Sequence, residues 1–321
     1  MKSDSDSVYS ETSVYAFFKS IFVPSLRPAF LKGVPSIFYN FFYRQHLAAF
    51  LPGRIPVSRV DHPLDEKIPF TPSWVTIYLD FVHFWIRMLS FFLRRYRRRS
   101  YPYIRDFIYS MGDLYAFAGG VYTKNLSTTK RPFYIARPRF FVIHMLDPHL
   151  MCIPSLHVMV VIHTYKRFCV IAKALGEEGK LKEQIEELKQ GALAISQAIL
   201  FVKQHSVNCI PAALYAMTCY SPDLFPPQEA EAFTALLFSP APDKSKMPKD
   251  CRVHPAASPP TNLSEDDKAE IRGHILTLYH RFLAEGKTAK FWGEPLVNFL
   301  REMRPPSTNA GSNYIITPRK M

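Results

Sequence analysis

Apolar positions along the chain gather into blocks separated by prolines and charged turns. Residues 70–93, "FTPSWVTIYLDFVHFWIRMLSFFL", form the best spanning candidate, since about 20 apolar residues are needed to cross a bilayer. Asp80 and Arg87 lie inside it and are costly in lipid unless they face a protein interior. Further runs cover 103–122, 150–172 and 191–220, the last long enough for two short helices with a break around "KQHSVNCIP". Between them "GEEGKLKEQIEELKQ" (176–190) reads as a soluble helical extension. Near the start, "VYAFFKSIFV" and "VPSIFYNFFY" are each too short for a comfortable span and read as interfacial or re-entrant helices. The segment "LSEDDKAEIRGHILTLYHRFLAEG" (263–286) predicts an amphipathic helix, with Ser264 as N-cap, acids in the first turn and Gly286 as a stop. One more short helix is expected over 290–303.

Strand signals are weak throughout, so the pattern predicts an all-α chain in three parts. These are an aromatic, membrane-associated region (1–60), a helical core (61–220), and a tail (221–321) with a Pro-rich linker over 239–262.

Composition narrows the setting. The 321 residues are 48% hydrophobic, which supports a large core or several membrane segments. A mean hydropathy of −0.06 is low for a densely embedded protein and leaves room for a peripheral form. The net charge of +13 favours an anionic partner: membrane lipid or a phosphorylated substrate. Nucleic acid is the weakest candidate, because no finger spacing or aromatic-basic RNA motif is present. Cys152, Cys169, Cys209, Cys219 and Cys251 form no Cys-x-x-Cys pair, so neither a zinc site nor a disulfide framework is indicated. The N-terminus lacks the order of a cleavable signal peptide.

Three short motifs carry candidate chemistry. "KNLSTTKRP" holds Lys124, then Arg131 and Pro132; "CIPSLHV" holds Ser155 and His157; "FVKQHSVNC" holds Lys203 and His205. Lys124 and Arg131 offer charge to a phosphate, Arg131 in a planar fork. Ser155 offers a hydroxyl at a helix start, where free N–H groups add positive potential. Lys130 with Arg137 and Pro138 fits the first spacing equally, so Arg131 and Arg137 are rival phosphate ligands.

In this order the motifs resemble those of the type 2 phosphatidic acid phosphatase superfamily, which also holds the vanadium haloperoxidases. Its pattern is Lys-x6-Arg-Pro, Pro-Ser-x-His, then Ser-Arg-x5-His-x3-Asp, and the likeness spans roughly 62–220. The resemblance implies a multi-pass helical membrane bundle and removal or transfer of phosphate from a lipid phosphate or pyrophosphate. It implies His205 as nucleophile, forming a phosphohistidine, and His157 as general acid. Lys124, Arg131, Ser155, with Arg137 and Lys203 beside them, would bind phosphate; no metal or cofactor is implied. The third motif departs from the pattern: Cys209 stands at its Asp, Ile199 at its Arg and Ala198 at its Ser. The alternatives are therefore a member that binds lipid phosphates or a protein partner without turnover, and a structural membrane protein.

The run "RRYRRR" (94–99) should lie on the cytoplasmic face. Alternating crossings from there bring all three motifs to the extracytoplasmic face and leave the tail cytoplasmic. Membrane lipids are the expected surroundings. Oligomeric state is not readable from the sequence.

Overall fold

A computed structural model describes residues 7–134, 136–239 and 263–304. They are mostly helical, as the pattern predicts. Helices α1 (Ser13–Phe22), α2 (Arg27–Phe38) and α3 (Arg44–Phe50) lead the chain, and a π-helical turn, Tyr39–Tyr43, fuses α2 and α3 into one rod. The apolar block at 70–93 is not one straight helix. After the single turn α4 (Leu64–Lys67) it enters through a 3-10 turn at Pro72–Trp74 and divides at Asp80 into α5 (Val75–Leu79) and α6 (Phe81–Arg95). The two charges inside it answer each other: Arg87 Nη1 donates to both Asp80 oxygens at 2.9 and 2.8 Å.

Helix α7 (Tyr101–Tyr122) follows, then α8 (Pro138–Leu146) and α9 (Leu156–Ala174). The expected separate extension at 176–190 joins the next run as one helix, α10 (Lys182–Phe201). Its buried Glu187 accepts from the Val8 N–H at 3.0 Å, so this polar stretch clasps the N-terminal segment. The break expected in "KQHSVNCIP" is present, with α11 (Cys209–Tyr220) beyond it. Helices α12 (Pro227–Leu236), α13 (Glu265–Gly286) and α14 (Glu294–Glu302) complete the described chain. Ser264 caps α13, its Oγ accepting from the Asp267 N–H at 3.1 Å. The linker over 239–262 and Cys251 fall almost wholly outside the described residues.

The core centres on α9, whose first turns, Leu156 to Thr164, are buried throughout. Helices α6, α7, α10 and α11 surround it. Two short parallel strands, β1 (Val57–Arg59) and β2 (Leu126–Thr128), pair Ser58 with Ser127, and Met151 extends β2 by a bridge. This small sheet pins the turn that leads into α9.

Only Pro72–Arg95 is long and apolar enough to cross a membrane among the described residues, and 56% of its most apolar window is buried in the protein. Helix α7 shows Arg105, Asp106 and Asp113 on its exposed side.

Candidate functional site

Three separate segments deliver the motif residues. The turn before α9 is held from two sides: the Ile153 N–H donates to Ser127 Oγ at 2.8 Å and Tyr122 Oη donates to the Pro154 carbonyl at 2.5 Å. Ser155 sits at the N-cap of α9, and its fully buried Oγ makes no cap bond and has no partner. Two residues on, His157 lies between Tyr78 and Phe81, with ring centroids 4.5 and 4.1 Å away.

The third segment owes its direction to the end of α10. Lys203 takes a left-handed backbone (φ 54°), which ends the helix and turns the following residues back. The N–H groups of Gln204 and His205 both return to the Ile199 carbonyl, at 3.0 and 3.1 Å. His205 thereby faces His157 at 5.4 Å between ring centroids. It is 8% exposed, and its Nδ1 has no partner.

Arg131 approaches from the segment after β2. It donates to Gln204 Oε1 and to the Asp147 carbonyl, each at 3.3 Å, and lies 3.8 Å from an Asp147 carboxylate oxygen. Asp147 is also 3.7 Å from His149 Nδ1. His149 in turn bonds Thr129 Oγ1 at 2.8 Å, and its ring is 6.3 Å from that of His205. Motif reasoning misses Asp147 and His149, although "DPH" is a polar interruption just ahead of the Pro-Ser motif.

The other expected ligands lie elsewhere. Lys124 is exposed, its ammonium 5.0 Å from the centroid of the Phe291 ring, because the turn after α7 points it outward. Arg137 is exposed at the head of α8. Of the two first-motif registers, only Arg131 makes contacts at the histidine cluster. Lys203 donates to the Asp65 carbonyl, the left-handed turn having sent its side chain away from His205.

Helix α11 brings no carboxylate to the cluster. Cys209 is buried, and Asn208 is engaged elsewhere: its Nδ2 donates to the Val60 carbonyl at 3.2 Å and its Oδ1 meets His274 Nε2 at 2.8 Å. The negative charge of the cluster comes from Asp147 instead. Burial alone would raise its pKa, but His149 and Arg131 hold it well below the usual carboxylate range. Burial pushes His157 down to about 4, opposed by Asp147. His205 is driven well below the ordinary value by burial first, then by His157 and His149.

At neutral pH the cluster therefore holds neutral imidazoles beside an Arg131–Asp147 pair. An anion entering it would bring the charge that lets His157 take a proton. Two buried polar atoms without partners, Ser155 Oγ and His205 Nδ1, suit a ligand that both accepts and donates hydrogen bonds. Cys152, Cys169, Cys209 and Cys219 are free thiols. No group of three or more His, Cys, Asp or Glu side chains is arranged to hold a metal among the described residues.

No protein-family model matches the chain, and no curated protein or solved structure matches it significantly.

Proposed function

We propose that this chain binds the phosphate of a lipid phosphate monoester and hydrolyses or transfers it through His205. The observation that carries the reading is the meeting of Ser155, His157, His205 and Arg131 from three distant segments, with two buried atoms unpartnered. Arg131 and Ser155 hold phosphate oxygens. His205 attacks phosphorus, a P–N bond forms, and the P–O bond to the lipid breaks. The departing oxygen takes a proton from His157, whose imidazole gained it when the anion entered. Water then attacks the phosphohistidine, losing its proton to His157, and frees phosphate and His205.

A second reading, binding without turnover, is favoured by the scarcity of charge at the cluster. Lys124 and Lys203 are directed away from it, and Cys209 holds the sequence position at which the resembled motif carries its Asp. Arg131 is then the main charge available to the transition state.

The membrane setting is also a proposal. Multi-pass insertion with site and tail on opposite faces is what the motifs imply. The geometry favours another placement: His274 of α13 bonds Asn208, and Lys67 of α4 pairs with Asp267 and Glu270 of α13 at 3.1 and 2.5 Å. We therefore put site and tail on one side of the bilayer. The core helices are then sheathed in protein rather than lipid. Alkaline extraction with protease mapping separates the two arrangements: multi-pass insertion leaves site and tail loops cut from opposite sides.

The functional test uses purified full-length chain with phosphatidic acid and EDTA. Phosphate release that His205→Ala and His157→Ala each lower by about a hundredfold or more supports the enzyme. Absent turnover with phosphate binding that Arg131→Ala weakens supports the second reading. Binding and turnover indifferent to all three substitutions would remove the site.

A further inference from the structure

The rod formed by α2, the π turn and α3 is packed inside out. Its fully buried residues are small or polar, Ala29, Gly33, Asn40 and Gln45, while Ile37 and Phe41 pack against the core only in part. Gly33 meets Gly112 of α7 so closely that a side chain on Gly33 would stand 2.7 Å from the Ile108 carbonyl oxygen. Ser36 Oγ donates to the Gly112 carbonyl at 2.9 Å, and Asn40 Nδ2 to the Ser36 carbonyl at 2.9 Å. The outward face is large and apolar, with Leu31, Phe38, Phe42, Tyr43 and Phe50 exposed by 41–80%. Helix α1 repeats the pattern, burying Ala16 and Ser20 while Phe18 and Phe22 stand outside.

Water selects the opposite arrangement, since aromatic side chains carry the largest burial energy. Small residues between helices with large apolar ones outside are the packing used where the surroundings are lipid. Charge agrees. From residue 12 to 60 there is no Asp or Glu, while Arg27, Lys32 and Arg54 are exposed along the same segment. Cations flanking aromatics suit an anionic headgroup layer.

We infer that the outward face of α1–α3 is a bilayer-contact surface for anionic lipid. This rests in part on the proposed lipid substrate and deepens it. Gln45 on α3 donates to Asp147 Oδ1 at 2.8 Å, and the exposed Phe141 and Met145 of α8 lie just before Asp147. The surface thus adjoins the phosphate cluster, and a lipid headgroup would reach the cluster from that side.

The test is flotation of the full-length chain with phosphatidylcholine vesicles, with and without phosphatidylglycerol. The wild type should float, more strongly with the anionic lipid. Replacing Phe38, Phe42 and Phe50 together by Gln should cut vesicle partition at least tenfold with an unchanged melting curve. Arg27→Gln with Lys32→Gln should remove the preference for the anionic lipid. Phe42→Trp, which conserves bulk and folding, should add indole emission that brominated lipid quenches. A wild type that stays with the soluble fraction, a triple variant that floats as before, or added indole emission that brominated lipid leaves untouched would each overturn the inference. Turnover of a short-chain soluble phosphate monoester is read on the same samples. Flotation without turnover keeps the surface and removes the phosphatase, and turnover without flotation does the reverse.

Discussion

Helix α13 and the α2–α3 rod are of similar length and both lie at the surface, yet they solve opposite problems. Helix α13 buries Ile271, Ile275, Tyr279 and Phe282 and exposes Glu265, Asp266, Glu270 and Arg281. The rod buries Ala29, Gly33 and Asn40 and exposes Phe38, Phe42, Tyr43 and Phe50. One presents charge to its surroundings and the other presents aromatic rings, as the proposed bilayer contact requires. The histidine cluster lies between them, since Asn208 bonds His274 of α13 while Asp147 bonds Gln45 of the rod. The proposed lipid phosphate would use such a boundary, with its head in the polar cluster and its chain beside the apolar surface.

The contrast is sharpest in truncation. Phe282→Ala should cost about 3–5 kcal/mol in denaturant unfolding, because a fully buried ring leaves a cavity. Phe42→Ala in detergent should change stability by about 0.5 kcal/mol or less, its ring being outside. Equal losses would erase the distinction. Acid should act on the cluster next. His157 falls from 6.5 to about 4 in the folded chain, so the fold favours its neutral form. Stability from this group is full above pH 6.5 and is lost as pH falls toward 4, by roughly 3 kcal/mol in total. Comparing the pH dependence of unfolding with that of His157→Gln isolates it, and identical slopes would contradict it.

Gly33→Val reverses the usual sense of a surface change. Adding bulk on the inward side of the rod should cost about 1–3 kcal/mol by melting, since the Ile108 carbonyl leaves no room. The smallest effect is at the head of α13. Ser264→Ala should lose about 1 kcal/mol, and Ser264→Asp should keep most of the stability.

Much of the segmentation was legible because helical periodicity and punctuation are local. Ser264 capping α13, and the break that sets His205 between α10 and α11, follow from residue types at fixed spacing. The direction of each helical face was not. The aromatic runs before residue 60 read as interfacial or re-entrant helices without telling which side faces in, and the contact of Gly33 with Gly112 decides it. In the site, Ser155, His157 and His205 were legible as a motif. The fates of Lys124 and Lys203 were not, because an outward turn and a left-handed residue steer long side chains that spacing treats as equivalent. Asp147 and His149 stand in the polar "DPH" ahead of the Pro-Ser motif, but nothing local assigns them to the cluster, for a related reason. They act through a turn held by β2 and Gln45, partners distant in sequence.

In the proposed site, His157 and His205 flank one phosphate. Nitrogen NMR of the histidine-labelled chain, titrated with a phosphate monoester, reads this directly. Saturable shifts are expected at His157 and His205, with a rise in the His157 pKa from about 4 toward its ordinary value. His274 should not change, and Arg131→Ala should abolish the response. Ring resonances of His157 and His205 that stay fixed while phosphate reaches high millimolar concentration would contradict it.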